Sequence, residues 1–281
     1  MNKKLASFFL IVFFGINHLF GNSHKPARLA AYDAIAIPGL GTILTAKVEK
    51  KMPVFNPDIS GETISFYING EKIGESVSNK DGMAILRHTF NRTGKFELEV
   101  MVSTGSRYHS DPALSKIFCS DRQKPAIVVD IDHTVADVSL AMYILKSNKK
   151  VMPLKNAPDI LNKLSREYDI VFVTNREELF LRKTNDWLQM YKFPAAPVFF
   201  RNMGNYPFDP AKYKSGRIKE LKKCWSNISI GIGDRKTDLQ AYRANDMKSI
   251  IIGKGTDVSG DVIYVRGWEK IEKLLLKIPD K

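Results

Sequence analysis

Five apolar runs recur down the second half of this chain: AIVVD (126–130), DIVFVT (169–174), APVFF (196–200), NISIGIGD (227–234) and MKSIIIG (247–253). Their Val and Ile residues do not alternate with polar ones, so each run reads as a strand covered on both faces. Between and after them lie segments of helical period: 156–168, 176–191, 210–225, 235–246 and 267–278. Strands alternating with helices imply βαβ units and a parallel sheet with helices on both faces. This α/β domain is expected over residues 125–281.

In such sheets, ligands bind at the carboxyl ends of the strands. The first run continues as IVVDIDHTVA (127–136), which places Asp130 and Asp132 two positions apart, with Ile131 between them. Carboxylates that close repel one another unless a cation neutralises them. An Asp-rich solvated turn would explain this run alone, but the other strand ends are polar too. The second leads into Thr174, Asn175 and Arg176, a helix beyond the third carries Lys212 and Lys214, and the fourth ends in GDRKTD with Asp234 and Asp238.

Together these residue types fit phosphoryl transfer through an aspartyl-phosphate. Asp130 is the candidate nucleophile, since a carboxylate can split one hard displacement into two easier ones. Asp132 can protonate the leaving oxygen and then activate water. Mg²⁺ would offset the repulsion between carboxylate and phosphate by taking hard oxygen ligands. Asp130, Asp132, Asp234 and Asp238 are the candidate ligands, with Asp130 and Asp234 binding directly and Asp238 directly or through water. Thr174 and the Asn175 N–H can donate to phosphate oxygens, Arg176 either contacts substrate or caps a helix, and Lys214 (or Lys212) supplies positive charge. His133 reads as a surface residue or one standing behind the substrate contacts, rather than as a catalytic one. Tyr206, Phe208 and Tyr213 either line a pocket or belong to the core.

DIDHT resembles the DxDxT first motif of haloacid dehalogenase (HAD) superfamily phosphatases. TNR resembles their second motif, the Lys214 helix their third, and GDRKTD their GDxxxD fourth. The resemblance covers roughly Pro125 to Trp268. It implies a Rossmannoid sheet, Mg²⁺, phosphatase chemistry, and a place for Thr134 beside the substrate. KYKSGRIKEL followed by GDRKTDLQAY is also similar to lipin-type phosphatidate phosphatases and their relatives. The chain departs from these at position 133, where it has His. About forty residues separate the first two motifs, which leaves little room for a large cap. An open site suits bulky or surface-bound phosphoesters.

The other half of the chain differs in character. Residues 1–23 combine MNKK, the apolar LASFFLIVFF and the small residues Gly21 and Ser23, the pattern of a secretory signal peptide. Export to the periplasm or outside the cell is therefore expected, with membrane association as an alternative. After a linker over 24–41, residues 42–106 read as five short strands with polar turns. Asn69-Gly70 there is a strong hairpin signal. This is expected to be a small β-sandwich resembling immunoglobulin-like or transthyretin-like modules, a structural part that could dock a protein partner. A second linker is expected over 107–124.

The formal net charge is +13, and removing residues 1–23 takes away two lysines and no acid, leaving +11. Such a charge favours anionic partners: phosphorylated substrates, nucleic acid or acidic headgroups at a membrane surface. The basic residues form no long block, so no dedicated nucleic-acid domain is indicated. Three functions fit: an exported Mg²⁺-dependent phosphomonoesterase acting on phosphatidate or another phospholipid headgroup, a soluble acid phosphatase for nucleotides or sugar phosphates, and a non-catalytic binder of phosphorylated ligands or partners. Cys119 and Cys224 are read as free thiols.

Overall fold

The computed structural model describes residues 24–52, 56–201, 209–255 and 260–276. The signal-peptide segment 1–23 lies outside them, as do Tyr206 and Phe208. The described residues form two compact units. One takes those up to Ala31, with Leu44–Leu86 and Leu98–Ser115; the other takes Tyr32–Ile43, Arg87–Glu97 and those from Lys116 onward.

The N-terminal part is β-rich, with strands β1 (Lys25–Ala31), β2 (Ala34–Ala36), β3 (Gly41–Lys50), β4 (Thr63–Ile68), β5 (Glu71–Val77), β6 (Met83–Thr89), β7 (Gly94–Val102), β8 (Tyr108–His109) and β9 (Ala113–Cys119). In the first unit β4 pairs antiparallel with β5 on one side and with β7 on the other. The hairpin turn forms where the sequence places it: Asn69 and Gly70 have φ of 51° and 85°, the left-handed pair a type I′ turn requires.

The two segments read as linkers are not unstructured. β1 lies antiparallel to β3 and parallel to β8. KPARLAA buries only Ala27 and Ala31, side chains too small to give a hydrophobic alternation, and backbone pairing on both sides compensates. β2 pairs with the end of β9 inside the second unit. There Ile35 and Phe118 join the core, and Trp225 donates from Nε1 to the Ala36 carbonyl at 3.0 Å.

The α/β domain carries strands β10 (Ala126–Val129), β11 (Asp169–Glu177), β12 (Val198–Arg201), β13 (Ile228–Gly233), β14 (Lys248–Ile252) and β15 (Val262–Val265). They form one sheet, ordered β12-β11-β10-β13-β14-β15, with every pairing parallel. β15 was not expected; VIYV is short and follows a polar, Gly-containing stretch. The helices are α1 (Leu140–Leu145), α2 (Ala157–Leu164), α3 (Leu181–Met190), α4 (Pro210–Cys224), α5 (Lys236–Arg243) and α6 (Trp268–Leu276).

Both faces of the sheet are covered, as the apolar runs require. Ile127, Val129 and Phe172 point to one core with α2, α3 and α6, while Val128, Val171 and Val173 point to the other with α4 and α5. The chain runs outward from β10 through β11 to β12, then crosses back to β13. The strand order therefore reverses at β10, and the crevice expected at such a switch lies at the carboxyl ends of β10, β11 and β13.

Candidate active site

β10 ends at Val129 and delivers Asp130 into the crevice. Beyond it the chain turns tightly: the N–H groups of Thr134, Val135 and Ala136 all reach the Ile131 carbonyl, at 3.3, 2.9 and 2.9 Å. His133 takes a φ of 58° in this turn. Histidine is among the non-glycine residues that tolerate that region, so the loop closes despite the departure at this position. The His133 side chain faces solvent. Trp268 donates from Nε1 to the Thr134 carbonyl at 2.8 Å and pins the loop to α6.

Lys214 comes from α4, whose start is fixed by Pro210 in its first turn and by Asp209, which accepts from the Lys212 N–H at 2.9 Å. This phasing turns Tyr213, Lys214, Ile218 and Leu221 inward and leaves Lys212 exposed. Lys214, not Lys212, therefore reaches the site. Its Nζ donates to Asp130 Oδ1 at 2.5 Å and also to Asp238 Oδ1. Thr134 Oγ1 donates to the other Asp130 oxygen at 3.3 Å.

Asp238 stands one turn into α5, and its Oδ2 accepts from the N–H groups of Asp234 and Arg235 at 3.2 and 3.0 Å. Its approach explains Gly233: a Cβ there would lie 2.6 Å from Asp238 Cβ. Gly231 likewise leaves room for the Tyr242 ring. The glycines of GIG thus serve close packing between β13 and α5.

Asp130, Asp234 and Asp238 present carboxylate oxygens within 4.8 Å of one another. Lys214 is the buried cation bonded among them, which leaves two negative charges in excess. Arg235 approaches Asp234 at 3.6 Å, but from a half-exposed position where solvent screens it. Burial pushes Asp130 up to about 7 against the pull of Lys214, and burial followed by the Asp238 charge raises Asp234. Burial alone would lower Lys214, but Asp130 and Asp238 outweigh it and hold its pKa raised. Asp234 Oδ1 is buried with no hydrogen-bond partner among the described residues. Three hard oxygen donors, an excess of two negative charges and an orphaned carboxylate oxygen fit a divalent cation such as Mg²⁺.

Asp132, counted among the metal ligands from sequence, is not in this group. Its carboxylate is held instead by Arg176, whose Nη2 and Nε donate to Oδ1 at 2.8 and 3.2 Å. Arg176 in turn corrects two expectations. The helix expected from residue 176 begins at Leu181, because β11 continues through Glu177. Two residues beyond Thr174 on an extended strand, Arg176 points to the same side and meets Asp132. It is fully buried, with Nη1 on Thr184 Oγ1 at 3.1 Å and its guanidinium 3.5 Å from the centre of the Tyr143 ring. It is committed to Asp132 and holds no free face for substrate.

Thr174 is fully buried, and its Oγ1 accepts from the Arg176 N–H at 3.2 Å. Asn175 is half-buried, with Oδ1 lacking a partner among the described residues. The sequence reading missed Tyr143, Thr184 and Trp268. Each acts on the site through another residue, and none sits in a motif.

Residues 127–252 match the family model described as "PITM 1-3, LNS2 domain". No curated protein matches the chain. Among solved structures the chain is similar to one in the Pnkp1/Rnl/Hen1 complex, at 16% identity and a TM-score of 0.41, covering 48% of each chain. It therefore spans about half the length of that relative. It is also similar to a HAD-superfamily hydrolase, subfamily IA, from Geobacter sulfurreducens PCA, at 10% identity and a TM-score of 0.40, covering 54% of this chain and 96% of that one. A HAD-superfamily hydrolase from Ehrlichia chaffeensis gives 14% identity and a TM-score of 0.40, covering 55% and 97%. Over residues 127–252 the α/β segment is thus similar to LNS2 domains. The aspartates, threonine and lysine gathered at its strand ends are the residue types that phosphoryl transfer uses.

Proposed function

We propose that this protein is an exported, Mg²⁺-dependent phosphomonoesterase that works through an aspartyl-phosphate and acts on phosphatidate or another phospholipid headgroup. The observation that carries this reading is the cluster of three carboxylates, the strand-end nucleophile Asp130 with Asp234 and Asp238, which Lys214 leaves two negative charges in excess. Bound there, Mg²⁺ would be held by Asp130, Asp234 and Asp238, and would offset the repulsion between carboxylate and phosphate.

An oxygen of Asp130 attacks phosphorus as the ester P–O bond breaks, and the leaving oxygen takes its proton from Asp132. Water then attacks the acyl phosphate and gives a proton to Asp132. The Asp130–phosphorus bond breaks, releasing inorganic phosphate. Thr174 Oγ1 and the Asn175 N–H donate to the phosphoryl oxygens, and Lys214 steadies the charge that develops on them.

The lipid substrate is supported by the openness of the site. Among the described residues, the segment between β10 and β11 builds only α1, a short turn over Asn148–Lys150 and α2, without a separate cap domain. Release of p-nitrophenol from p-nitrophenyl phosphate, dependent on Mg²⁺ and lost with EDTA, is expected. Phosphate release from phosphatidate vesicles should then exceed that from nucleotides or sugar phosphates. Preference for the soluble esters would favour the soluble acid phosphatase, and no turnover of any of them would favour the non-catalytic binder.

A further inference from the structure

We infer that the segment from Val138 to Pro158, led by α1 and the turn after it, docks this protein on an anionic bilayer surface. The inference deepens the lipid reading above and rests on it, but vesicle binding is measured apart from turnover. α1 is LAMYIL, and only Tyr143 points inward. Leu145 is 81% exposed, Ile144 49% and Met142 45%, and Met152 follows at 57%. Helical geometry sets Ala141 and Leu145 together, opposite Tyr143, with Met142 and Ile144 on the flanks. A surface helix ordinarily turns polar residues to water; this one turns out apolar side chains on every open side.

The same segment is basic. It carries Lys146, Lys149, Lys150 and Lys155 and no acidic residue in 21 positions, in a chain with 30 acids in 281. Lys149, Lys150 and Lys155 are exposed. Apolar side chains that can enter the headgroup boundary, ringed by lysines that meet anionic headgroups, are the two components of interfacial anchoring. A second copy of this chain is a poorer occupant, since a two-fold contact would bring the two sets of lysines together.

The exposed side chains are presented on a fixed support. Ser139 caps α1, Lys183 Nζ donates to the Tyr143 and Lys146 carbonyls at 2.6 and 2.7 Å, and Trp187 Nε1 donates to the Val151 carbonyl at 2.8 Å. The support leads directly to the active site, because the Tyr143 ring carries the Arg176 guanidinium that grips Asp132. A bilayer docked on α1 would lie close to the residues that act on its headgroups.

The test is sedimentation of the full chain with vesicles of phosphatidylcholine alone or of phosphatidylcholine with phosphatidylserine, which has no phosphomonoester to occupy the active site. Binding to the serine-containing vesicles only is expected. Lys149→Gln with Lys150→Gln should weaken it roughly thirtyfold, at the usual contribution of a surface lysine. Leu145→Gln, at a position outside the core, should weaken it at least several-fold. Both variants should hydrolyse soluble p-nitrophenyl phosphate as the parent does. Undiminished vesicle binding by either variant, or equal binding to both vesicle types, would overturn the proposal. So would a change of oligomeric state in Leu145→Gln, seen by light scattering, with vesicle binding intact. If none of the proteins turns over p-nitrophenyl phosphate while the binding pattern holds, the enzyme reading fails and the docking surface stands.

Discussion

Asp130 and Asp132 are two residues apart, and their carboxylates have opposite electrostatic circumstances. Asp132 meets a buried guanidinium in a two-point contact, and that guanidinium is satisfied again by Thr184 and by the face of Tyr143. Charge and hydrogen bonds are complete on that side. Asp130 shares one lysine with Asp238, and Asp234 adds a carboxylate with an oxygen that bonds to nothing described. That side is two positive charges short. Burying an ion pair costs several kcal/mol of desolvation per ion, so it stands only where geometry and extra hydrogen bonds offset that cost. The Arg176 half meets this condition by itself. The Lys214 half meets it only with a further cation, which marks it as the half where metal and phosphate belong.

The sharpest way to break this contrast is Asp130→Asn, which keeps the shape and removes the nucleophile. Turnover should be lost, with circular dichroism unchanged; near-parental phosphate release from the folded variant would sink the covalent mechanism. Asp132→Asn should slow turnover roughly 10²–10⁴-fold, the usual contribution of a general acid–base group. A loss below tenfold would count against that role. The pairing of Asp132 with Arg176 is tested through stability. Arg176→Met leaves a buried carboxylate without its partner and should cost about 3–5 kcal/mol in urea unfolding. Asp132→Asn combined with Arg176→Met should recover most of that loss, since the remaining groups are neutral. Full additivity of the two single changes would mean that the contact contributes nothing.

What the sequence reveals divides along the same line. Asp130, Asp234, Asp238 and Lys214 are legible because each follows a strand or opens a helix at a recognisable spacing, and strand order brings them together. Arg176 was legible as a residue but not in its role. REELFLRKTNDW has helical period from its first residue, yet parallel pairing carries β11 on through Glu177 and turns Arg176 inward. Its partners Tyr143 and Thr184 lie 33 positions before it and 8 after it, and no local pattern links them. β1 escaped notice for a related reason: its alanines are too small to show an alternation, and its stability comes from the strands on either side. The direction of α1's apolar side chains was likewise invisible, because a short apolar run does not tell which residue faces inward.

The smallest expected effect bears on the unfinished half. In the metal-free protein, burial holds Asp130 at about 7 and raises Asp234, so both bind protons more tightly folded than unfolded. Their contribution to stability is therefore present below about pH 4, the ordinary range of such a carboxylate, and is lost as the pH rises, for Asp130 through about 7. Mg²⁺ should reverse this, stabilising the folded state by about 2.7 kcal/mol at a hundredfold excess over Kd, and more effectively at higher pH because it competes with protons. Asp234→Ala removes a ligand and one of the repelling charges together. Its metal-free melting temperature should equal or exceed that of the metal-free parent, while the increment on adding Mg²⁺ disappears. The two melting curves, each taken with EDTA and with Mg²⁺, decide the matter. A metal-free variant melting well below its parent would make Asp234 a structural residue, and the two halves of the site would then be alike.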